Sequence, residues 1–483
     1  MLAPLPTGEG SGERLERLFD AVLYTAMIPT QPSDRGDLRY SVQIDDQQPV
    51  VISLKEPYSS ERWKQNVLRG QALKKTPVKV SNGRHTLRIK ALDDHIIFDQ
   101  WMLDFCPDRQ FYVIPVTLHP SPFTNIAGVR TVTVFKAGDD TDHYANGAVM
   151  TAFKGKLYCM WQSSPTDEDS DDTWVAYSVS ADEGYTWSKP RPLSLPSGDF
   201  YCTSGGWLAR GDTLTAFINT WQRSTIGRAL SGNGQKAPEP RGGRTCYITS
   251  TDGQTWSQLQ PVTMADGTPM EGVLEQDPYT LPGGRLVGAA HFKPGLHVCP
   301  VYTDDPKGVS GWRKASFESE DLGRQSRELE PSQYMRPDGT LVMLFRDQQG
   351  SFRKLAAMST DRGATWTKPV VTSFPDARTK QCAGNLPDGT SFMVSCPSGD
   401  KRRWPLVLQL SRDGIAFDKT ILLRSGSPDD LPQRRYEGRY KTIGYNYPKA
   451  MTHNGRLYVS YSTNKEDVEC SIIPLSLAGQ SVY

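Results

Sequence analysis

The sequence predicts an all-β protein in which a small β-sandwich domain precedes a six-bladed β-propeller. Three observations predict this class: a turn motif that recurs along the chain, a second turn pattern that alternates with it, and an N-terminal region of strand-like segments that contains neither repeat. The expected organisation is a disordered tail at residues 1–17, the sandwich at 18–110 and the propeller at 125–483.

The first repeat is a turn with the pattern S-x-D-x-G-x-T-W. It starts at Ser180, Ser250 and Ser359, and a degraded copy runs from Ser411 to Phe417. The pattern resembles the Asp box of sialidases, a hairpin turn in which the Asp binds turn backbone, the Gly supplies a positive φ and the Trp packs between blades. We call these segments Asp-box turns. Their implied role is structural, which excludes their aspartates as catalytic candidates.

The second repeat is a Gly-containing turn followed by an apolar strand. It predicts one hairpin in each of six blades, with an inner strand before the turn, a second strand after it, and a third strand that leads to an Asp-box turn where one is present. Residues 130–135 are expected to supply the outer strand that closes the ring. The six turns begin at Lys154, Arg210, Gly283, Asp338, Asp388 and Asn454.

The N-terminal region contains alternating strand patterns. Three segments, at 29–36, 63–67 and 82–89, resemble the small β-sandwich at the C-terminus of family 115 α-glucuronidases. The resemblance implies either a carbohydrate-binding module or a structural spacer that packs on the propeller, and both stay open at this point. The predicted strands are Leu38–Ile44, Val50–Leu54, Thr86–Lys90 and Ile96–Leu103.

Composition excludes several classes of function. The 55 basic and 54 acidic residues balance, so no long-range field attracts nucleic acid or an anionic membrane surface. No run of about 18 apolar residues is present, and the eight cysteines are isolated, which is typical of small buried hydrophobes. No cofactor or metal is therefore predicted, and the expected partner is a glycan. Residues 1–13 lack a signal-peptide pattern, so we expect a cytoplasmic protein, or a secreted or periplasmic one if the N-terminus is incomplete.

The candidate active site is the funnel of the propeller, because inner strands and the ends of second strands converge there. In the fourth blade, Glu330, Gln333 and Arg346 resemble a sialidase segment in which a Glu precedes a Gln on the inner strand and an Arg ends the second strand. The resemblance implies that Glu330 takes a proton from a tyrosine nucleophile. Arg346 would hold the substrate carboxylate, for which a planar guanidinium is suited. The alternative is a surface ion pair between Arg346 and Asp347.

The fifth and sixth blades supply further expected parts. Arg403, or its neighbour Arg402, lies where sialidases place another carboxylate-binding arginine, and a solvated basic turn is the alternative. Tyr445 and Tyr447 stand where the resemblance places the nucleophile. One of them should reach Glu330, because a phenol with a pKa of about 10 needs an adjacent base at neutral pH. The alternative for either tyrosine is packing within the blade.

The first blade departs from the sialidase pattern. Sialidases begin it with a Phe-Arg-Ile-Pro motif, but this chain has His143 and Asn146 at the matching place, so a third arginine is missing. The acidic loop at 167–172 offers Asp169 or Asp171 as the general acid, or else is a solvated loop or a loose Ca²⁺ site. Further candidates for substrate contact are Tyr144, Asn146, Tyr201, Glu275 and Asp277, with His291 at the rim.

The resemblance therefore implies a sialidase-like exo-glycosidase that hydrolyses a terminal anionic sugar, whether a sialic, another ulosonic or a uronic acid. Two alternatives stay open. One is a propeller polysaccharide lyase or a rhamnosyl-glucuronate-cleaving enzyme that uses His143 in proton transfer. The other is a propeller that binds glycan without turnover, which the missing arginine favours.

His143 is predicted to replace part of the missing arginine's role and to make the enzyme poor on ordinary sialosides. An imidazole with an unperturbed pKa of about 6.5 loses its charge as the pH rises, so a carboxylate held this way should bind more weakly above about pH 7. Alternatively His143 transfers the proton itself, and then His143→Ala abolishes turnover and His143→Arg does not restore it. The measurement is kcat/KM of wild type and both variants on sialyl and glucuronyl substrates. Fast sialoside turnover that His143→Ala leaves unchanged would contradict both versions.

Overall fold

The structure is a computed structural model that describes residues 19–28, 37–80, 85–104, 117–118, 128–223, 243–292, 297–317 and 328–478. The chain divides into two compact units, Met1–Phe111 and Tyr112–Tyr483. The expected tail at 1–17, the segment at 29–36 and part of that at 82–89 lie outside the described residues. None of the described helices combines the length and the apolar character that a membrane crossing requires.

The first unit is a β-sandwich of two three-stranded antiparallel sheets. One sheet has the order β4-β1-β6 and the other β3-β2-β5. Side chains from both sheets, among them Leu23, Tyr40 and Leu54, form the core between them. The elements are β1 (Phe19–Ile28), β2 (Arg39–Ile44), β3 (Val50–Ser53), α1 (Glu61–Arg69), β4 (Ala72–Val80), β5 (Leu87–Ala91) and β6 (Ile97–Asp104).

The sequence patterns locate four of these six strands, β2, β3, β5 and β6, to within one residue at each end. They miss β1 and β4. β1 is the central strand of its sheet and is buried over most of its length, so it lacks the polar and apolar alternation of a half-exposed strand. The segment at 63–67 lies in α1, which Ser60 caps at the N-terminus and Gly70 at the C-terminus.

The second unit contains six antiparallel sheets of four or five strands among its described residues. Before the first sheet come β7 (Thr117–Leu118) and β8 (Arg130–Phe135). The first three sheets consist of β9 (Tyr144–Phe153), β10 (Lys156–Ser164), β11 (Trp174–Ser180) and β12 (Arg191–Ser194); β13 (Phe200–Arg210), β14 (Thr213–Gln222), β15 (Gly243–Ser250) and β16 (Gln260–Pro261); and β17 (Gly272–Leu274), β18 (Tyr279–Thr280), β19 (Leu286–Phe292), β20 (His297–Thr303) and β21 (Arg313–Lys314).

The remaining strands form the other three sheets and two short parallel pairs, β22 with β26 and β31 with β7. In chain order they are β22 (Ser316–Phe317), β23 (Glu328–Met335), β24 (Leu341–Asp347), β25 (Arg353–Ser359), β26 (Thr365–Trp366), β27 (Val370–Pro375), β28 (Cys382–Asn385), β29 (Ser391–Ser395), β30 (Leu406–Ser411), β31 (Ala416–Phe417), β32 (Lys419–Arg424), β33 (Tyr445–His453), β34 (Arg456–Thr463) and β35 (Asp467–Pro474), followed by α2 (Leu475–Ala478).

The six sheets form a closed ring, since each contacts the next along the chain and β33 of the sixth contacts β9 of the first. β8 pairs with β35 as the outer strand of the sixth sheet, so an N-terminal strand completes the C-terminal sheet, as predicted. The predicted all-β propeller class is confirmed, and six sheets are consistent with six blades.

The Asp-box turns have the geometry that their residues predict. In the first, the Asp182 carboxylate accepts hydrogen bonds from the Thr186 backbone (2.9 Å) and hydroxyl (2.6 Å). Gly184 has a φ of 85°, and its carbonyl accepts the ring N–H of Trp187 at 3.0 Å. The aromatic residue that ends each turn packs in a core cluster shared with the preceding sheet, as Trp366 does between the third and fourth sheets.

The third sheet has a fifth turn of this kind, which the motif does not detect. Asp305 accepts hydrogen bonds from the backbone of Val309 (3.1 Å) and Ser310 (3.0 Å), and Trp312 donates its ring N–H to the Gly308 carbonyl at 2.9 Å. Trp312 is fully buried among residues of the second and third sheets. Additional residues between the aspartate and the tryptophan lengthen the turn, which hides it from a fixed spacing.

We expect Trp366→Ala to lower the free energy of unfolding by about 3–5 kcal/mol, because a fully buried ring between two sheets leaves a cavity. Tyr185→Ala is the matched control, since Tyr185 belongs to the first Asp-box turn and is 37% exposed; its effect should be below about 1 kcal/mol. The measurement is the urea unfolding midpoint of each variant. If Trp366→Ala and Tyr185→Ala lowered the free energy of unfolding by the same small amount, the packing role of the Asp-box turns would be contradicted.

Candidate active site

β-Bulges in the inner strands present the funnel side chains. Strands β9, β23 and β33 each contain a bulge, at which two residues of the inner strand lie opposite a single residue of the second strand. The first residue of each bulge has a left-handed backbone conformation: Gly147 (φ 62°), Glu330 (φ 54°) and Tyr447 (φ 54°). Glycine adopts this conformation freely, whereas for Glu330 and Tyr447 it costs on the order of 1–3 kcal/mol each. The second residue of the bulge is Pro331 in β23 and Pro448 in β33. Proline has no N–H to donate, so it fits a position that makes no hydrogen bond to the neighbouring strand. Strain repeated at two funnel positions points to a functional constraint.

The structure brings Glu330, Arg346 and Tyr447 together. Nη1 of Arg346 lies 3.0 Å from both carboxylate oxygens of Glu330, and the Tyr447 hydroxyl donates to Oε1 of the same carboxylate. The Glu330 backbone is held as well: its N–H donates to Nε2 of His291 (3.1 Å), and its carbonyl accepts from Nε2 of Gln381 (3.0 Å). These bonds fix the strained residue and aim its carboxylate at the tyrosine.

The charges around Glu330 keep it ionised. Burial by itself raises the pKa of a carboxyl group, but here the charges of Arg346 and Lys380 and the hydrogen bond from Tyr447 outweigh burial and lower the pKa of Glu330 to about 2. Burial, together with the negative charges of Glu330 and Glu168, raises the pKa of Tyr447 well above its usual range. The pair is therefore a neutral phenol that donates to a carboxylate.

Two buried lysines, Lys380 and Lys449, converge on Glu275. The inner strand of the third sheet is interrupted between β17 and β18, so the Glu275 carbonyl is free of the ladder and accepts from Lys380 (2.6 Å) and Lys449. Nζ of Lys380 also lies 3.1 Å from the Glu275 carboxylate and 5.2 Å from the centroid of the Tyr447 ring. The predicted funnel residue Glu275 thus anchors Lys380 beside the tyrosine and also binds Lys449.

Asp277 and His291 are also internal. Asp277 accepts a hydrogen bond at 2.5 Å from the backbone of Trp207 in the second sheet, and burial raises the pKa of its carboxyl group. His291 is 2% exposed, with Nδ1 at 3.5 Å from the Glu275 carboxylate, so its expected position at the rim is wrong. It supports the backbone of Glu330 from within the funnel.

A second carboxylate, Glu168, lies near Tyr447 on the side of the first and sixth sheets. Its Oε1 accepts from the Tyr144 hydroxyl (3.2 Å) and from Nδ2 of Asn146 (3.4 Å), and its Oε2 pairs with Nζ of Lys465. Nζ of Lys465 is 5.8 Å from the centroid of the Tyr447 ring. The ammonium groups of Lys380 and Lys465 therefore both lie near the Tyr447 ring, and each is paired with a carboxylate, Glu275 or Glu168.

The acidic loop lines a cavity of about 840 Å³. Asp169 accepts from the hydroxyl of Tyr201 at 3.4 Å, and the Asp171 carbonyl accepts from Nε of Arg223 at 3.0 Å. Glu168 lines this cavity and also contacts Tyr144 and Asn146, so it lies between the cavity and the funnel. Among the described residues no group of three or more potential ligands could hold a metal ion. The lining comprises residues 166–172 with Arg223, Arg439 and Tyr440.

Other candidates lie apart from the pair of Glu330 and Tyr447. Tyr445 is fully buried and donates its hydroxyl to the carbonyls of Ser425 (2.7 Å) and Asp430 (3.1 Å), so its assignment as a possible nucleophile has to be corrected to a packing role. Arg403 is 9% exposed and donates to Oδ1 of Asn446, one residue before Tyr447.

Arg402 and His143 have partners of their own. Arg402 pairs with Asp400 at 2.7 Å at the surface. The ring of His143 stacks on Tyr436, with centroids 3.8 Å apart and an angle of 6° between the planes. This stacking is one structural role for the histidine, and its predicted part in anion binding stays a prediction.

Sequence reasoning missed the lysines at 380, 449 and 465, and Glu168 beside the two aspartates that it chose. One signal was available: Glu330-Pro331 and Tyr447-Pro448 share a proline inside an inner strand, which marks a bulge and selects Tyr447 over Tyr445. No comparable sequence pattern marks the three lysines as site residues, because the carboxylates and carbonyls that they contact belong to other sheets.

Comparison with known proteins gives two family matches. Residues 155–459 match the BNR repeat-like domain, and residues 19–115 match the glycosyl hydrolase family 115 C-terminal domain. The first match covers more than half of the chain. The protein belongs to the BNR repeat-like family. A sialidase of Bacteroides fragilis (strain YCH46) is 27% identical over an alignment of 317 residues, and the match covers 59% of this chain and 55% of that protein. The match thus spans just over half the length of this relative.

Solved structures share the fold of this BNR repeat-like protein. A protein of unknown function from Dyadobacter fermentans DSM 18053 has a TM-score of 0.55 at 18% identity, covering 72% of this chain and 100% of its own. The Hadza microbial sialidase Hz136 has a TM-score of 0.55 at 15% identity and covers 96% of this chain and 94% of its own. Trypanosoma rangeli sialidase has a TM-score of 0.51 at 14% identity, with 73% and 60% covered.

Lys449 should make the stability of this BNR repeat-like protein depend on pH. Burial and the charge of Lys380 lower the pKa of Lys449 to about 7. Because this is below the unfolded value of about 10.4, the unfolded chain binds the proton more tightly, and the free energy of unfolding should rise between about pH 7 and 10. Lys449→Met should therefore stabilise the protein more at pH 6 than at pH 9, with the exposed Lys154→Met as control. Urea midpoints across this range test it, and a difference independent of pH would contradict it.

Proposed function

We propose that this protein is a glycoside hydrolase that removes a terminal anionic sugar, a sialic, other ulosonic or uronic acid, from a glycan. The observation that carries the proposal is the contact among Tyr447, Glu330 and Arg346. A phenol held against an ionised carboxylate, beside a guanidinium, is an arrangement that can attack an anomeric carbon next to a carboxylate, because the neutral phenol avoids charge repulsion.

In the proposed first step the Tyr447 oxygen bonds to the anomeric carbon while its proton passes to Oε1 of Glu330. The bond between that carbon and the leaving oxygen breaks, and the leaving oxygen takes a proton from the acidic loop. Asp169 is our choice of donor, since it lines the cavity and accepts from Tyr201; Asp171 is the alternative. In the second step water attacks the glycosyl carbon and gives a proton to the loop carboxylate that was deprotonated in the first step. The bond between that carbon and the Tyr447 oxygen breaks, and the phenol recovers its proton from Glu330.

Substrate binding itself would strengthen the base. With a pKa of about 2, Glu330 is a weak base in the free site, because Arg346 and Lys380 stabilise its charge. A substrate carboxylate that binds Arg346 shares this positive charge and adds a negative one, and both effects raise the pKa of Glu330. The tyrosine would thus become nucleophilic mainly when an anionic sugar is present. This coupling supports an anionic rather than a neutral substrate.

The test is a screen of purified protein on sialyl, ulosonyl and glucuronyl oligosaccharides, read by mass spectrometry. Hydrolysis adds one water to the products, whereas a lyase eliminates without adding water and leaves an unsaturated uronate that absorbs in the ultraviolet. We expect hydrolysis. An unsaturated product would instead support the lyase, and tight glycan binding without any product would support the binding protein.

Tyr447→Phe is expected to reduce kcat on the substrate found in that screen on the order of 10³-fold, because it removes the attacking oxygen. Tyr445→Phe is the matched control: it lies two residues away, loses only hydrogen bonds to two carbonyls and should keep kcat within a few-fold of wild type. Glu330→Gln should resemble Tyr447→Phe. Loss of activity in Tyr445→Phe with a folded, active Tyr447→Phe would reverse the assignment.

A further inference from the structure

The Glu168 carboxylate occupies a site that is built for a carboxylate. It is surrounded by three donors, the Tyr144 hydroxyl and the Asn146 amide of the first sheet and the Lys465 ammonium group from the turn between β34 and β35 of the sixth. All three donors are buried, at 0%, 0% and 3% exposure. The ammonium group and the two neutral donors together bind both oxygens of the carboxylate, and no backbone N–H of the described residues takes part.

Two of the three donors, Tyr144 and Asn146, are held in place independently of Glu168. Nε2 of Gln162 donates to the Tyr144 oxygen at 2.7 Å, which leaves the phenol proton available for an acceptor. The Ser462 hydroxyl donates to Oδ1 of Asn146 at 2.9 Å, which turns the amide nitrogen of Asn146 toward the anion. Tyr144 and Asn146 therefore belong to the first sheet and keep their orientation without the glutamate.

Glu168 itself lies on the loop between β10 and β11, at the wall of the cavity, and its side chain is 18% exposed. It is the more exposed member of its ion pair, since the Lys465 side chain is 4% exposed. Lys465 also lies beside the ring of Tyr447, so an anion in place of Glu168 would sit next to the proposed nucleophile.

We infer that Lys465, Tyr144 and Asn146 form a binding site for the substrate carboxylate, which Glu168 fills until substrate displaces it. The inference rests on the proposed function and names how its site selects an anionic sugar. In the proposed function Arg346 contacts the same substrate carboxylate while its partner Glu330 stays in place as the base. At Lys465, by contrast, the internal carboxylate of Glu168 leaves. Exchanging Glu168 for another carboxylate leaves no buried charge unpaired, whereas a neutral sugar would leave Lys465 without a counter-ion.

Glu168→Gln should then bind carboxylate sugars roughly tenfold more tightly than wild type, because the competing internal charge is gone. Lys465→Met should bind them roughly tenfold or more weakly. The measurement is isothermal titration with N-acetylneuraminic acid, glucuronic acid and the methyl ester of each. The esters carry no charge and should bind wild type and both variants alike. Glu183→Gln and Lys154→Met are matched controls outside the site, and neither should change affinity.

The titration needs no turnover, so it separates this inference from the proposed function. Tighter binding to Glu168→Gln and weaker binding to Lys465→Met in a protein without hydrolytic activity would support the carboxylate site and overturn the hydrolase. Equal affinity of wild type and Glu168→Gln for the acids, or no measurable binding of either acid, would overturn the inference. If Lys465→Met does not fold, Lys465→Arg replaces it and should retain acid binding above ester binding; loss of that preference counts against the site.

Kinetics distinguish displacement from proton donation by Glu168. A displaced residue predicts that Glu168→Gln lowers KM for an anionic glycoside and leaves kcat within a few-fold of wild type. A proton donor predicts instead a large fall in kcat with an oligosaccharide and little change with an aryl glycoside, whose leaving group needs no proton. The second result would overturn the inference and move the general acid from Asp169 to Glu168.

Discussion

The hydrogen-bonded carboxylate of Glu330 is the contact on which the funnel depends. It joins the fourth sheet, which supplies Glu330 and Arg346, to the sixth, which supplies Tyr447. The backbone of Glu330 forms hydrogen bonds with His291 of the third sheet and with Gln381, which directly precedes the fifth sheet. A buried anion is tolerated only when its charge and lone pairs are satisfied, so the surrounding cations and donors have to be where they are. Four sheets thus meet at one residue with a strained backbone.

The bulges explain how a regular ring produces an irregular site. A β-strand alternates its side chains between two faces, and an additional residue re-aims one of them. In the fourth and sixth sheets this residue is Glu330 or Tyr447, and in the first it is Gly147, where an added Cβ would lie 2.8 Å from the Ser204 hydroxyl. The first sheet therefore has no side chain at that level, because Ser204 occupies the position next to Gly147, and Glu168 reaches in from the adjacent loop.

Charge pairing limits what the funnel can bind. Arg346 is paired with Glu330, Lys380 with Glu275, and Lys465 with Glu168. A neutral ligand that separates any of these pairs leaves a buried charge behind, which is costly, while an anionic ligand can take over one of the cations. The same reasoning connects the proposed substrate class, the activation of Glu330 and the exchange at Lys465. It depends on the distances between charges and not on the identity of the sugar.

The sequence by itself determined the all-β class, the sheet boundaries given by the repeated turns, and the closing strand at Arg130–Phe135, because turns and alternation are local properties of a strand. Its resemblance to sialidases also pointed to Glu330, Arg346 and either Tyr445 or Tyr447 as site residues, and their catalytic roles stay predictions. It did not choose between Tyr445 and Tyr447, although Pro448 marks the bulge. The fifth Asp-box turn was hidden by its longer spacing.

Only the tertiary structure decided the electrostatics of the site. Lys380 and Lys465 belong to other segments of the chain than Tyr447, yet both are buried beside its ring. Lys449 follows Tyr447 by two residues but is buried against the Glu275 carbonyl of the third sheet. The choice of Glu168 over Asp169 or Asp171 as the acid nearest to Tyr447 was equally invisible, since a single loop turn decides which of several carboxylates points inward. The physical reason is that charge pairing acts through space, across sheets that a local pattern cannot relate.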